Sequence, residues 1–392
     1  VNRRLRLFYF LYYGFVGAYL SYFAPYLRGL GFSGRQIGAV MIASQLVAAP
    51  AALAWGQLGD RLRSPSRALR LCALLALFCM AFLPFARTPL QVAAVLTLHA
   101  LFGGAVVPLL DATTMQALRT ALPAVGGRTA PTYARTRLFG SLGFILSAQT
   151  VGLLLSARGE RPADLLVPCL MLLFVAGYAV LSQFLPVVAP SGARPHLREA
   201  TALLRDRALL ILLIACAIHW AVLTPYHLFF GVLVRDLGLP ASLTGLSLAL
   251  GVCAEVAAFF AFPLLERKLS LQLLFACSFA GTALRWLLLS RASSPVALAS
   301  LQLLHALTFG LFWGCAVESL GRIVPSRLRA TGQALFSALV FGAGNALGSG
   351  LSGLGYDSFG STRPLFALAA GLELIPLALV VSLGAVLSRR PA

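Results

Sequence analysis

Long apolar runs separated by short polar, arginine-bearing gaps set the pattern of this chain from Leu7 onward. A bilayer core of about 30 Å takes roughly 20 apolar residues per helix. At that depth every backbone polar group needs a partner within the protein, which leaves helices or closed barrels as spanning structures. The runs here are continuous, whereas a barrel strand alternates, so they predict helices. Spans are expected at 7–27, 37–57, 68–86, 90–110, 138–157, 165–185, 209–232, 243–265, 271–290, 296–319, 332–353 and 365–387, twelve in all.

The longest polar interruption, 187–206, divides the chain into an N-terminal bundle over 1–186 and a C-terminal bundle over 207–392, each with six spans. A faint repeat supports the division. The second span ends in Trp55-Gly56-Gln57-Leu58-Gly59-Asp60-Arg61-Leu62 and the eighth in Phe262-Pro263-Leu264-Leu265-Glu266-Arg267-Lys268-Leu269. Two parallel halves with a solute site near the midplane are a common arrangement of secondary transporters.

Arginine and lysine fall unevenly across the gaps, with 21 on the side of the termini and central loop and 8 on the other. The positive-inside rule therefore puts both termini and the central loop in the cytoplasm. Composition agrees with an integral membrane protein: 59% of the 392 residues are hydrophobic and 11% charged, with a mean hydropathy of +0.87. The net charge of +19 is distributed over short gaps and does not gather on one polar face, so nucleic-acid binding is not expected.

The seven cysteines (Cys72, Cys79, Cys169, Cys216, Cys253, Cys277, Cys315) all lie in apolar spans without metal-type spacing, and read as small buried hydrophobes. No metal or cofactor is expected. The first apolar run is too long for a cleavable signal and continues into the polytopic pattern, so no leader is expected.

Gly56-Gln57-Leu58-Gly59-Asp60-Arg61-Leu62-Arg63 resembles the signature loop of the major facilitator superfamily. The likeness implies its fold, two pseudo-symmetric six-helix bundles, with Asp60 and Arg61 holding the cytoplasmic gate. A narrower resemblance, to the lactose-permease-like proton symporters and the related phenylpropionate-permease and nucleoside-symporter group, runs through most of the chain. It rests on Tyr133-Ala134-Arg135-Thr136-Arg137-Leu138-Phe139-Gly140-Ser141-Leu142-Gly143-Phe144, on Tyr12-Tyr13-Gly14 to Pro25-Tyr26, on Leu304-His305 and on Gly355-Tyr356-Asp357-Ser358-Phe359-Gly360.

In sugar-transporting relatives the acidic residue after a proline in the fourth span and the second arginine of the fifth bind substrate, which maps to Asp111 and Arg137. The chain departs from these relatives in two informative places. Phe144 stands where the sugar permease has a substrate-stacking tryptophan, and Thr308 replaces its tenth-span carboxylate.

Charges at helix centres cost roughly 2.5–3.5 kcal/mol each by insertion scales, so they mark functional sites or structural pairs. Asp111 and Arg137 read as a substrate site, with a static salt bridge as the alternative. Together they offer acceptors and a planar donor fork, suited to a polyol or a carboxylate.

In the second half, Glu255, Arg285 and His305 fall on consecutive spans. The gap from Arg285 to His305 matches the permease relatives. A carboxylate beside an arginine can change its proton affinity between two access states, so Glu255 is the first candidate proton carrier and His305 its relay.

Glu373 lies mid-span without a charged neighbour in its own segment, and reads either as a second proton site or as a partner of Asn345. His99, His219 and His227 read as hydrogen-bonded packing histidines, and Glu318 as a structural residue near the cytoplasmic gate. Tyr22 and Tyr226, on the helices that open the two halves, are expected to line the solute cavity.

The expectation is a multi-pass protein of the inner (plasma) membrane, acting as a monomer. It is a transporter and not an enzyme, and it imports a sugar, nucleoside or aromatic carboxylate by proton symport. The rivals are an efflux antiporter of the same fold and a lipid scramblase. The fifth span, Arg137-Leu138-Phe139-Gly140-Ser141, lacks the proline and glycine signature of antiporters, and no loop is long enough to build a catalytic site.

Overall fold

In the computed structural model, which describes residues 2–121, 132–189, 203–325 and 328–383, the long apolar runs become helices. The first half forms α1 (Asn2–Gly29), α2 (Gly34–Arg61), α3 (Pro65–Phe85), α4 (Pro89–Arg119), α5 (Tyr133–Ala157) and α6 (Leu166–Ser182). The second half forms α7 (Arg207–Asp236), α8 (Ala241–Lys268), α9 (Leu271–Leu289), α10 (Pro295–Ile323), α11 (Thr331–Phe359) and α12 (Thr362–Ser382). Eleven of these are long and apolar enough to cross a membrane, and α6 is a shorter apolar helix. No strand occurs among the described residues.

Arg128, Arg194, Arg198, Arg327, Arg389, Arg390 and most of the expected 187–206 linker lie outside the described residues.

Side-chain caps start several helices. Ser33 with Gln36, and Thr88 with Gln91, make reciprocal capping boxes ahead of α2 and α4. Thr132, Asp206, Ser270 and Ser294 each accept a backbone N–H three residues on.

The chain divides into two units, Val1–Gly192 with Pro240–Gly245, and Ala193–Leu239 with Leu246–Ala392. In the first, α1 is central and packs on α5 and α6, while α2 packs on α4 and α3 on α6. The approach of α1 to α5 depends on Gly143, where a Cβ would collide with the Phe10 backbone. In the second unit α7 takes the central place, packing on α11 and α12, with α9 against α12 and α10.

Apolar side chains also cover the outside. Phe78, Phe85, Phe260 and Val296 are all more than 60% exposed, as expected of surfaces that meet lipid. The same logic corrects the expectation for cysteine. Cys72, Cys79, Cys216 and Cys315 are buried, but Cys169, Cys253 and Cys277 are exposed, because an apolar run that faces lipid is as apolar as one that faces the core.

Regular α geometry fails in three neighbouring helices of the second unit. Between Pro295 and Ile323, α10 passes through a 3₁₀ stretch (Leu301–Leu304) and a π stretch (Ala306–Leu311). A second π stretch, Ser337–Gly344, interrupts α11. In α12 the break falls at Glu373, between Thr362–Leu372 and Leu374–Ser382. Pro376 has no N–H to give the preceding turn, and the Leu377 N to Glu373 O bond is stretched to 3.4 Å.

Candidate functional site

Each unit encloses a polar cluster. In the first, residues four apart on one face of α1 hold the two intramembrane charges separately. Tyr9 donates its hydroxyl to Asp111 Oδ1 at 2.5 Å, and Arg137 donates through Nη2 to the Tyr13 hydroxyl. The Arg137 guanidinium lies 4.1 Å from the Tyr13 ring centroid and 5.6 Å from that of Tyr9, so each tyrosine presents a π face to the cation.

Tyr133, at the start of α5, lies near enough to Asp111 to feel its charge. Among the described residues no direct ion pair joins Asp111 to Arg137, although each feels the other's charge. Acceptor and donor fork thus remain distinct groups on one aromatic wall. Room for the guanidinium comes from Gly140, where a Cβ would stand 3.0 Å from Arg137 Nη1 and 2.7 Å from the Tyr13 ring.

The other two substrate candidates of this unit are committed elsewhere. Tyr22 is buried and donates to the Ala148 carbonyl at 2.7 Å. It lies nine residues beyond Tyr13, about 14 Å along α1. Phe144 is buried against α1, its carbonyl 2.7 Å from the Cβ position of Gly17.

In the second unit Arg285 is fully buried between the rings of Tyr226 and Trp286, at 4.5 and 4.8 Å. Gln302 is the hub. Its Nε2 donates to the Leu298 carbonyl at 2.8 Å, which turns Oε1 toward Arg285 Nη2 at 2.5 Å and the Tyr226 hydroxyl at 2.8 Å. Arg285 Nη1 lies 3.0 Å from His305 Nδ1.

A guanidinium only donates, so Nδ1 accepts and the His305 proton sits on Nε2. That nitrogen faces Glu255 Oε2 at 3.6 Å. Glu255, His305 and Arg285 therefore form one chain of contacts in that order, with the acid 3.6 Å from the imidazole and beyond hydrogen-bond reach.

Glu373 does not join that chain. It bonds through Oε1 to His219 Nδ1, both side chains fully buried, and it takes His219 in place of Asn345. His219, read from sequence as a packing residue, is thus half of an acid–base pair, with Nε2 placed 3.0 Å from the Thr308 carbonyl. Its ring lies against those of Phe279 and Phe312. His99 is a packing histidine with Nδ1 3.1 Å from the Ala76 carbonyl, and His227 packs between Trp220 and Tyr226.

Asp60 and Arg61 close α2, the first half-buried and the second exposed. In the second unit Arg322 ties Glu266 of α8 at 2.6 Å and Glu318 of α10 at 2.9 Å. The described residues contain no cluster of His, Cys, Asp or Glu suited to a metal ion.

Sequence reasoning passed over Tyr9, Gln302 and His219 as site residues. The spacing of Tyr9 and Tyr13 was a usable signal for the first. For His219 the signal was two lone ionisable residues, His219 and Glu373, each deep in an apolar run of the same half.

The family model described as "MFS_1 like family" matches residues 2–368. The chain is 30% identical over 349 residues to a maltose permease of Geobacillus stearothermophilus, covering 88% of this chain and 84% of that protein. It is 27% identical over 372 residues to a probable 3-phenylpropionic acid transporter of Escherichia coli (strain K12), covering 92% of each. The fold is similar to the crystal structure of the nucleoside transporter NupG, with a TM-score of 0.85 over 99% of both chains at 17% identity.

Proposed function

Because the chain belongs to the MFS_1 like family, we propose that it is a proton-coupled symporter that carries a small organic solute into the cell by alternating access. The observation that carries this reading is the separation of Asp111 and Arg137. Each is held by its own tyrosine and neither is spent on the other. A static salt bridge would join them, whereas a solute with a hydroxyl and a second polar group can take the acceptor and the donor fork at once.

The family and the names of the relatives support a solute of the sugar, nucleoside or aromatic-acid type. In this reading Asp111 and Arg137 recognise the solute, while Tyr22 and Phe144 fix the packing of α1 against α5 and Tyr226 holds Arg285 in place. Glu255 takes up the proton, while Arg285 and His305 set its affinity. Asp60 and Arg61 hold the cytoplasmic gate, and the protein works as a monomer in the inner membrane.

The reading is tested in proteoliposomes offered a sugar, a nucleoside and an aromatic acid in turn. Entry of the accepted solute should alkalinise the medium, and Glu255→Gln should abolish the pH change. Uptake at an unchanged external pH would remove proton symport. Normal uptake by Asp111→Asn together with Arg137→Gln would remove the proposed solute site.

A further inference from the structure

We infer that His219 and Glu373 form a second proton-binding site, separate from the Arg285–His305–Glu255 chain, and that the closed pair is its proton-loaded state. The role of this site in transport rests on the proton coupling proposed above. Its occupancy rests on hydrogen-bond geometry.

His219 Nε2 lies 3.0 Å from the Thr308 carbonyl, and a carbonyl only accepts, so Nε2 carries a hydrogen. At the other side of the ring, Nδ1 bonds Glu373 Oε1. Either a carboxylic acid donates to Nδ1, or an imidazolium donates to a carboxylate. In both cases one proton lies between the residues and the pair is neutral overall.

Removing that proton leaves a ring lone pair against an anionic oxygen. Glu373 Oε2 is already buried with no hydrogen-bond partner among the described residues. An unpaired buried charge of this kind is strongly disfavoured. Release therefore requires the pair to open: the O–H or N–H bond breaks, the proton passes to an entering water, and carboxylate and neutral imidazole separate.

The helices around the pair are irregular at this point. Glu373 is the break in α12, Thr308 lies in the π stretch of α10, and the π stretch of α11 packs on α7. Irregular turns inside helices recur at functional positions. Phe279 and Phe312 seal the ring of His219.

The titratable groups around the pair come from three helices. From α7 there are His227, which feels the charge of His219, with Cys216 and Tyr226 on the same helix. From α9 there is Arg285, and from α10 there are Cys315 and His305, the latter feeling both His219 and Arg285. Between 331 and 355 in α11, and between 364 and 382 in α12, no ionisable residue other than Glu373 occurs. The proton on this pair is therefore set against the cationic charge of Arg285, with no competing acid on those stretches of α11 or α12.

Infrared difference spectroscopy and transport together test the assignment. The purified protein at neutral pH should show the C=O stretch of a buried protonated carboxyl, or the imidazolium signature of His219. Either signal should vanish in Glu373→Gln, which should still exchange solute across the membrane at equilibrium but lose solute-driven alkalinisation. If Glu373→Gln does not fold, His219→Gln, which keeps an N–H for Thr308 but no base for Glu373, should shift the carboxyl band or remove the imidazolium signature, and should lose the same proton flux.

A signal that survives Glu373→Gln, or a variant with the wild-type ratio of protons to solute, would overturn the site. If the wild type itself moves no protons, the symport reading falls, and the infrared signal alone decides whether the pair binds one.

Discussion

Tyr9 of α1 donates its hydroxyl to Asp111 Oδ1 of α4 across 2.5 Å, one helical turn before Tyr13 receives Arg137. A single helix face thus positions both the acceptor and the donor of the first unit. Hydrogen bonds to charged groups contribute about 1.5–3 kcal/mol. Tyr9→Phe should therefore weaken solute binding at least about tenfold while the protein still folds. Isothermal titration against the accepted solute, with thermal unfolding alongside, checks both halves.

Arg137→Lys keeps the charge but loses the planar fork and its stacking on Tyr13, and an ammonium is a compact, strongly hydrated point charge. The expected outcome is a KM raised by about an order of magnitude with little change in unfolding temperature. Initial uptake rates over a range of solute concentrations measure it.

Gln302→Leu should destabilise the second unit. It strips the acceptor from two buried donors, Arg285 Nη2 and the Tyr226 hydroxyl, and a buried donor left unsatisfied costs about 1–3 kcal/mol. Gln302→Glu restores an acceptor and should recover much of the loss. Thermal unfolding in detergent orders the three proteins.

Outside the membrane, Asp164 links the end of α5 to the start of α6. Burial acts to raise its carboxyl, but Arg158 Nε at 2.7 Å and the Leu166 N–H at 2.9 Å outweigh it and hold it below its ordinary value. A depressed carboxyl stabilises the fold above its unfolded value, near 3.8, and loses that contribution as pH falls through the folded value. The unfolding temperature of Asp164→Asn should therefore lie below wild type at pH 7. The gap should close as both are acidified below the ordinary carboxylate range.

Topology is open to a direct check. In a chain stripped of its own cysteines, Arg67→Cys, after α2, should resist an impermeant maleimide applied outside the cell, and Arg161→Cys, before α6, should react. Both positions are exposed, so a reversed labelling pattern would invert the orientation drawn from arginine distribution.

The helical spans were legible because hydropathy and helix caps are local. The candidate charges were legible because Asp111, Arg137, Glu255, Arg285 and Glu373 are costly wherever an apolar run buries them. The exposure of Cys169, Cys253 and Cys277 was not legible, since hydropathy does not separate a lipid-facing position from a core-facing one. The partner of His219 was not legible, because a lone histidine on an apolar face carries no sign of what stands opposite it.

By itself, the sequence determined that this chain is a polytopic helical membrane protein with charges held at membrane depth, because burial cost and helix period are properties of short segments. Only the tertiary structure decided which charge meets which. Asp111 goes to Tyr9 and not directly to Arg137, and Glu373 goes to His219, 154 residues away. Such pairings depend on the rotation and depth of one helix against another, which are set by close approaches such as that at Gly143 and by the breaks in α10, α11 and α12 acting together, and not by any one stretch of chain.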